Sequence, residues 1–132
     1  MPDRSRPANA SRLDIRPIGV VHKEGDLARI RIDPQHADAL LGIDALKAVQ
    51  VLYWMHRLPE ADRRRLQVHP RGDTSRPVRG VFALRSPMRP NPIGSTHAEL
   101  VRREGNDLIV KGLDALDGSP VIDIKFADPK YG

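Results

Sequence analysis

Apolar and polar positions trade places at short range along most of this chain, and period two dominates. Leu27–Ile32 (LARIRI) sets apolar residues against Arg29 and Arg31, the pattern of a half-buried strand. Leu13–Val21 (LDIRPIGVV) predicts a strand with Pro17 at a bulge or edge, and His22–Asp26 (HKEGD) the hairpin turn that follows. Ala48–His56 (AVQVLYWMH) is the most apolar run and predicts a central buried strand. Thr96–Arg103 predicts a strand with one wet face. Glu104–Asp107 predicts a turn, Leu108–Leu113 the return strand and Val121–Lys125 the last one. Asp33–Leu46 alone reads as a short helix. Asp33 is its cap, Pro34 takes the first helical position, and Gly42 ends it. Six or seven short strands at hairpin spacing make a mainly β domain, a small barrel or folded-over sheet with one or two short helices. No strand–GxGxxG–helix unit is present, which argues against a doubly wound nucleotide-binding fold.

One stretch breaks the alternation. Gly80–Ser95 (GVFALRSPMRPNPIGS) opens like a strand at Val81–Leu84, then places Pro87, Pro90 and Pro92 within six residues. Each proline fixes φ, removes an N–H and biases the residue before it away from helix. The backbone from Ser86 to Ile93 is therefore expected to be stiff and extended, with Gly94 permitting a sharp exit. Arg85, Ser86, Arg89 and Asn91 ride on that stiff segment. Polar groups whose ordering cost is met in the chain itself suit a binding loop. A second polar turn, Asp114–Pro120 (DALDGSP), carries two carboxylates and Gly118. A proline-rich surface loop and a plain Asp-Gly turn would look the same by composition.

Composition narrows the chemistry. With 132 residues this is a single domain, expected to begin near residue 13 and run to 132 behind a mobile arm over residues 1–12. Aromatics are 4%, so Val, Leu, Ile and Ala must supply the core. No cysteine is present, which excludes disulfides, a thiolate nucleophile and cysteine-ligated metal. The five histidines show no paired ligand spacing, so no metal site is expected. No apolar run approaches the roughly 20 residues that span a bilayer, and the N-terminus lacks a signal-peptide apolar region. A cytoplasmic location is the expectation. Net charge of +5 favours polyanions such as RNA, and Arg63–Arg65 are candidate phosphate contacts.

RSPMRPNPIG, preceded by GVFAL and followed by GLDALDGSPVIDIK, closely resembles the TrmO/TsaA-like family of S-adenosylmethionine-dependent methyltransferases. Its best-known members modify threonylcarbamoyladenosine in the anticodon loop of transfer RNA. The resemblance is dense from Val68 to Lys125 and looser back to Ile15. Two departures stand out. HKEGD occupies the place of a serine–proline step in longer members, and Lys125–Phe126–Ala127 the place of a lysine–proline–tyrosine ending. The resemblance implies a β-barrel working as a homodimer, with S-adenosylmethionine near the subunit interface. It implies cofactor contacts at His56, Arg57, Arg85, Ser95 and the loop Ala115, Leu116, Asp117, Gly118. Leu116 would pack on the adenine, and Arg85 would pair with a carboxylate. Arg89 and Asn91 are the candidates for holding the acceptor. A small-molecule acceptor and a non-catalytic binding module stay open as alternatives to transfer RNA.

Overall fold

The computed structural model describes residues 12–128. Eight strands run in chain order: β1 (Gly19–Glu24), β2 (Leu27–Ile32), β3 (Ala48–Trp54), β4 (Gln67–Val68), β5 (Arg79–Gly80), β6 (Ile93–Glu104), β7 (Asp107–Lys111) and β8 (Pro120–Phe126). Six of them close into an antiparallel barrel in the order β1-β2-β7-β6-β3-β8, and β4 pairs only with β5. The expected mainly β barrel is what forms.

Alternation explains the inside. Val21, Ala28, Ile30, Val49, Val51, Ala98, Leu108, Val110 and Val121 are buried and pack as one cluster. Each valine, leucine or isoleucine among them contributes about 1.5–3 kcal/mol of burial, most of it offset by chain entropy. Leu40 and Ile43 from the β2–β3 connection join the same cluster. On the outer face Arg29 bonds Glu24, Asp107 and Glu104 at 3.0–3.2 Å, tying the β1–β2 turn to the β6–β7 turn. Those carboxylates, Glu24 first, hold its guanidinium above an already high ordinary value.

Several elements differ from the sequence reading. The expected helix over 33–46 is two 3-10 turns, Pro34–Leu40 and Ile43–Ala45, and Asp33 makes no side-chain cap bond. The first strand begins at Gly19, beyond Pro17, and only Gly25–Asp26 form its turn. Val81–Ala83, expected as a strand, is a 3-10 turn. The pairing explains why: β3 has β6 from Ile93 on one side and β8 on the other, leaving the 81–84 run no partner. The arm expected over residues 1–12 lies, apart from exposed Arg12, outside the described residues.

Residues 55–92 form a long excursion that leaves the barrel after Trp54 and rejoins it at Ile93. These two residues are themselves cross-strand partners. Within it stand the β4–β5 ribbon and short 3-10 turns at Glu60–Arg64, Pro70–Gly72 and Val81–Ala83. A connection this long inside a small domain points to function.

Candidate functional site

The excursion and a gap in the barrel wall together make a cleft. β6 pairs with β3 along Ile93–Glu99, but β7 pairs only with Glu99–Glu104. The first half of β6 therefore has no strand on its β7 side among the described residues, and the β7–β8 loop faces it across the gap. The resulting cleft holds about 800 Å³, within the range of small-molecule sites. One wall is Ile93–His97 of β6. Opposite stand Asp114, Leu116 and Ser119 of the β7–β8 loop. The excursion supplies the other two walls, Arg57–Pro59 and the Leu84–Arg89 segment, with Tyr53 and Met55 between.

The proline-rich segment is braced by its own arginines. Arg89 donates to the carbonyls of Leu84 and Ser86 (3.3 and 2.9 Å), and Arg85 to the carbonyl of Ser95 (3.3 Å). Arg63 donates from Nε to the carbonyl of Pro90 at 2.7 Å while its guanidinium carbon lies 5.5 Å from the centre of the Trp54 ring. The β7–β8 loop is pinned as firmly. Gly118 donates to Val21, Val21 to Ser119, and the buried Ser119 hydroxyl to Leu116 at 2.6 Å. Lys23 donates its backbone N–H to the Asp117 carboxylate and its Nζ to the carbonyl of Leu113. Gly118 sits at φ +83°, where a side chain would be strained.

Of the residues singled out from sequence, Arg57, Arg85, Arg89, Ser95 and Leu116 line the cleft. His56 stands beside the loop, its Nε2 3.9 Å from where a Cβ on Gly118 would be. Ala115 is buried, while Asp117 and Gly118 are exposed on the turn. Asn91 is exposed beside the cleft and outside its lining; its carbonyl accepts the Ile93 N–H. Arg63 and Arg65, read as phosphate contacts, are ion-paired to Glu60 and Asp62.

Sequence reasoning missed Tyr53, Thr96 and His97 in the lining. Tyr53 read as one more apolar strand residue. Its hydroxyl instead crosses the gap, donating to the carbonyl of Asp114 at 2.5 Å and meeting Thr96 Oγ1 at 3.0 Å. Burial raises its pKa, so it stays a neutral donor. The available signal was alternation, which puts Tyr53 in phase with Val49 and Val51. Gly94, read as an exit, lies instead within β6 under the Tyr53 ring.

A closed antiparallel barrel with a wall gap, a stiff arginine-bearing loop and a pinned Asp-Gly turn defines a small-ligand-binding β-barrel. It lacks the helix-flanked parallel sheet of the common nucleotide folds. The chain belongs to the tRNA-methyltransferase O N-terminal domain family, whose model matches residues 11–130. It is 45% identical over 130 residues to an S-adenosyl-L-methionine-binding protein of Archaeoglobus fulgidus, covering 88% of this chain and 90% of that one. It is 37% identical over 93 residues to a mouse tRNA (adenine(37)-N6)-methyltransferase, covering 70% of this chain and 21% of that one. The crystal structure of TrmO from Pseudomonas aeruginosa superposes with a TM-score of 0.70 at 26% identity, covering 93% of this chain and 59% of that one. This chain thus spans about three fifths of that solved relative. The cofactor expected from sequence is the one for which the archaeal relative is named.

The residues present fit that molecule. Leu116 is 55% exposed in the cleft wall, an apolar side chain open to a ligand. Arg57 and Arg85 line the same space without a carboxylate partner among the described residues, as an amino-acid carboxylate requires.

Proposed function

We propose that this chain is an S-adenosylmethionine-dependent methyltransferase whose acceptor is the threonylcarbamoyladenosine of a transfer-RNA anticodon loop. The observation that carries the proposal is where the charge sits. Residues 55–92 hold nine arginines against Glu60, Asp62 and Asp73, a net +6 where the whole chain has +5. Each of those carboxylates is paired within its own turn, to Arg63, Arg65 and Arg76. Arg57, Arg64, Arg71, Arg79, Arg85 and Arg89 are left with no ion pair among the described residues. Arg64, Arg71 and Arg79, exposed on the excursion outside the cleft lining, suit a phosphate backbone approaching that cleft, and Arg57, Arg85 and Arg89 stand inside it. An anticodon loop offers the splayed, single-stranded base such a cleft can admit.

S-adenosylmethionine supplies an activated methyl group on a sulfonium, so the protein's task is alignment and exclusion of water more than acid–base chemistry. Leu116 would pack on the adenine, the Asp117–Gly118 backbone would read its edge, and Arg57 and Arg85 would hold the carboxylate. His56 and Ser95 would complete the donor side. Arg89 keeps the loop rigid through its two backbone carbonyls. Asn91, exposed at the end of that loop, is the candidate to hold the accepting nitrogen. A homodimer completing the cleft, in the cytoplasm, belongs to the same proposal. A small-molecule acceptor is the second reading. It is favoured by the Archaeoglobus relative, close to this chain in length and named only for binding the donor.

Calorimetric titration with S-adenosylmethionine, with Arg85→Ala alongside, is the first test, followed by transfer of labelled methyl to modified transfer RNA across a salt series. Micromolar binding lost in the variant, and transfer that falls steeply with salt, support the proposal. No binding by the wild type overturns it. Transfer only to small acceptors, independent of salt, moves the assignment to the second reading.

A further inference from the structure

Asp114 stands in the cleft wall under unusual conditions. Asp114 is exposed and lines the cleft, yet its carboxylate has no hydrogen bond or ion pair among the described residues. Three arginines line the same cleft and none pairs with it: Arg85 and Arg89 donate to backbone carbonyls instead. The neighbouring carboxylate, Asp117, differs, since it accepts the Lys23 N–H.

The backbone at Asp114 is nevertheless held by two hydrogen bonds. Its own carbonyl accepts the Tyr53 hydroxyl, and the carbonyl of Leu113 before it accepts Lys23 Nζ at 2.6 Å. Both flanking residues, Leu113 and Ala115, are buried in the core. A carboxylate on a fixed backbone in a cleft, left unpaired beside guanidiniums it does not reach, gives the cleft a negative wall and a positive one. Opposite charges that could neutralise each other but are kept apart suit a ligand that carries both signs.

We propose that Asp114 is a specificity-determining residue: its carboxylate faces the sulfonium and makes the cleft prefer the charged donor to the neutral thioether left after methyl transfer. This rests on the assignment of S-adenosylmethionine to the cleft. The two ligands share adenine, ribose, ammonium and carboxylate, and differ in the methyl group and the positive charge on sulfur. A carboxylate aimed at the ammonium or the ribose hydroxyls would serve both equally. One aimed at the sulfur separates them, and so releases product once the charge is gone.

The test is calorimetric titration of S-adenosylmethionine and S-adenosylhomocysteine into wild type and Asp114→Asn, with Asp114→Glu as the charge-retaining control and thermal melting to check folding. Asparagine keeps the shape and removes the charge. The expected result is a loss of about tenfold in affinity for S-adenosylmethionine, or 1.4 kcal/mol, with S-adenosylhomocysteine nearly unchanged. Glutamate should restore part of the preference. Equal loss for both ligands, or loss for neither, overturns the role of Asp114 and leaves the cofactor assignment standing. A wild type that binds neither ligand overturns both.

Discussion

The ring of Tyr53 lies over Gly94, its partner across β3 and β6, so closely that a Cβ on residue 94 would fall 2.3 Å from ring carbon Cε2. Glycine is required there by the ring and not by a turn. Gly94→Ala should cost about 1–3 kcal/mol, the usual price of overpacking. In a Tyr53→Ala background the same change should cost far less, because the obstructing atoms are gone. Urea unfolding of the four proteins in this cycle measures the difference; additive costs would mean that the contact is not the cause.

Tyr53→Phe keeps the ring and removes two hydrogen bonds, to Thr96 Oγ1 and the Asp114 carbonyl. A loss of about 1–2 kcal/mol is expected at neutral pH. The pH dependence carries a sign of its own. Burial raises the Tyr53 pKa above its ordinary 10.0, so above that pH the unfolded chain ionises while the folded one resists. Stability from this group is complete below pH 10 and is lost as pH rises toward the folded value. Urea midpoints from pH 8 to 11 should fall more steeply for wild type than for Tyr53→Phe.

Arg63 joins the excursion to the end of β3 through Trp54 and to the proline-rich loop through Pro90. Trp54 is the single tryptophan in the chain, so its emission reports this contact directly. Arg63→Ala should shift that emission to the red and weaken S-adenosylmethionine binding several-fold by loosening Pro90. Arg63→Lys, which retains charge without the planar fork, should recover little of either. Unchanged emission in the alanine variant would contradict the stacking.

Arg71 is the one non-glycine residue with positive φ among those described, at 55°. A left-handed arginine costs roughly 1–2 kcal/mol, offset in a glycine variant by about 0.5–1 kcal/mol of chain entropy. Arg71→Gly should therefore fold as stably as wild type or slightly more so. It should also bind transfer RNA more weakly, with the log–log salt slope reduced by about one. A more stable protein with undiminished affinity would remove Arg71 from the RNA-facing surface.

The barrel was legible because its signal is local. LARIRI carries its burial pattern in adjacent letters and β2 falls on it, while the apolar run from Ala48 places β3, which ends at Trp54, two residues short of the expected His56, and is only half-buried at Leu52 and Trp54. The stiffness of the RSPMRPNPIG segment was equally legible from its prolines. What stayed hidden depended on partners distant in sequence. Val81–Ala83 has strand-like letters and no strand to pair with. Gly94 reads as a sharp exit until Tyr53 is placed over it. The Asp114 carboxylate looks like half of an Asp-rich turn until Tyr53 and Lys23, from other strands, are seen holding its backbone. The charge on residues 55–92 could have been counted from the letters, but its relation to the cleft needed the fold.

Because Trp54 and Ile93 face each other across one rung of the ladder, the long excursion hangs from a doorway one rung wide. Its length is therefore decoupled from the register of the barrel. Doubling a flexible loop costs only about 0.6 kcal/mol in closure entropy. Insertions and deletions between the two doorposts can reshape what the protein recognises while the β3–β6 pairing, and with it the Ile93–His97 wall of the cleft, stays in place. Chimeras that exchange residues 66–83 between relatives, leaving His56, Arg57, Arg63 and the proline-rich loop untouched, should accordingly fold and keep the donor while changing the acceptor.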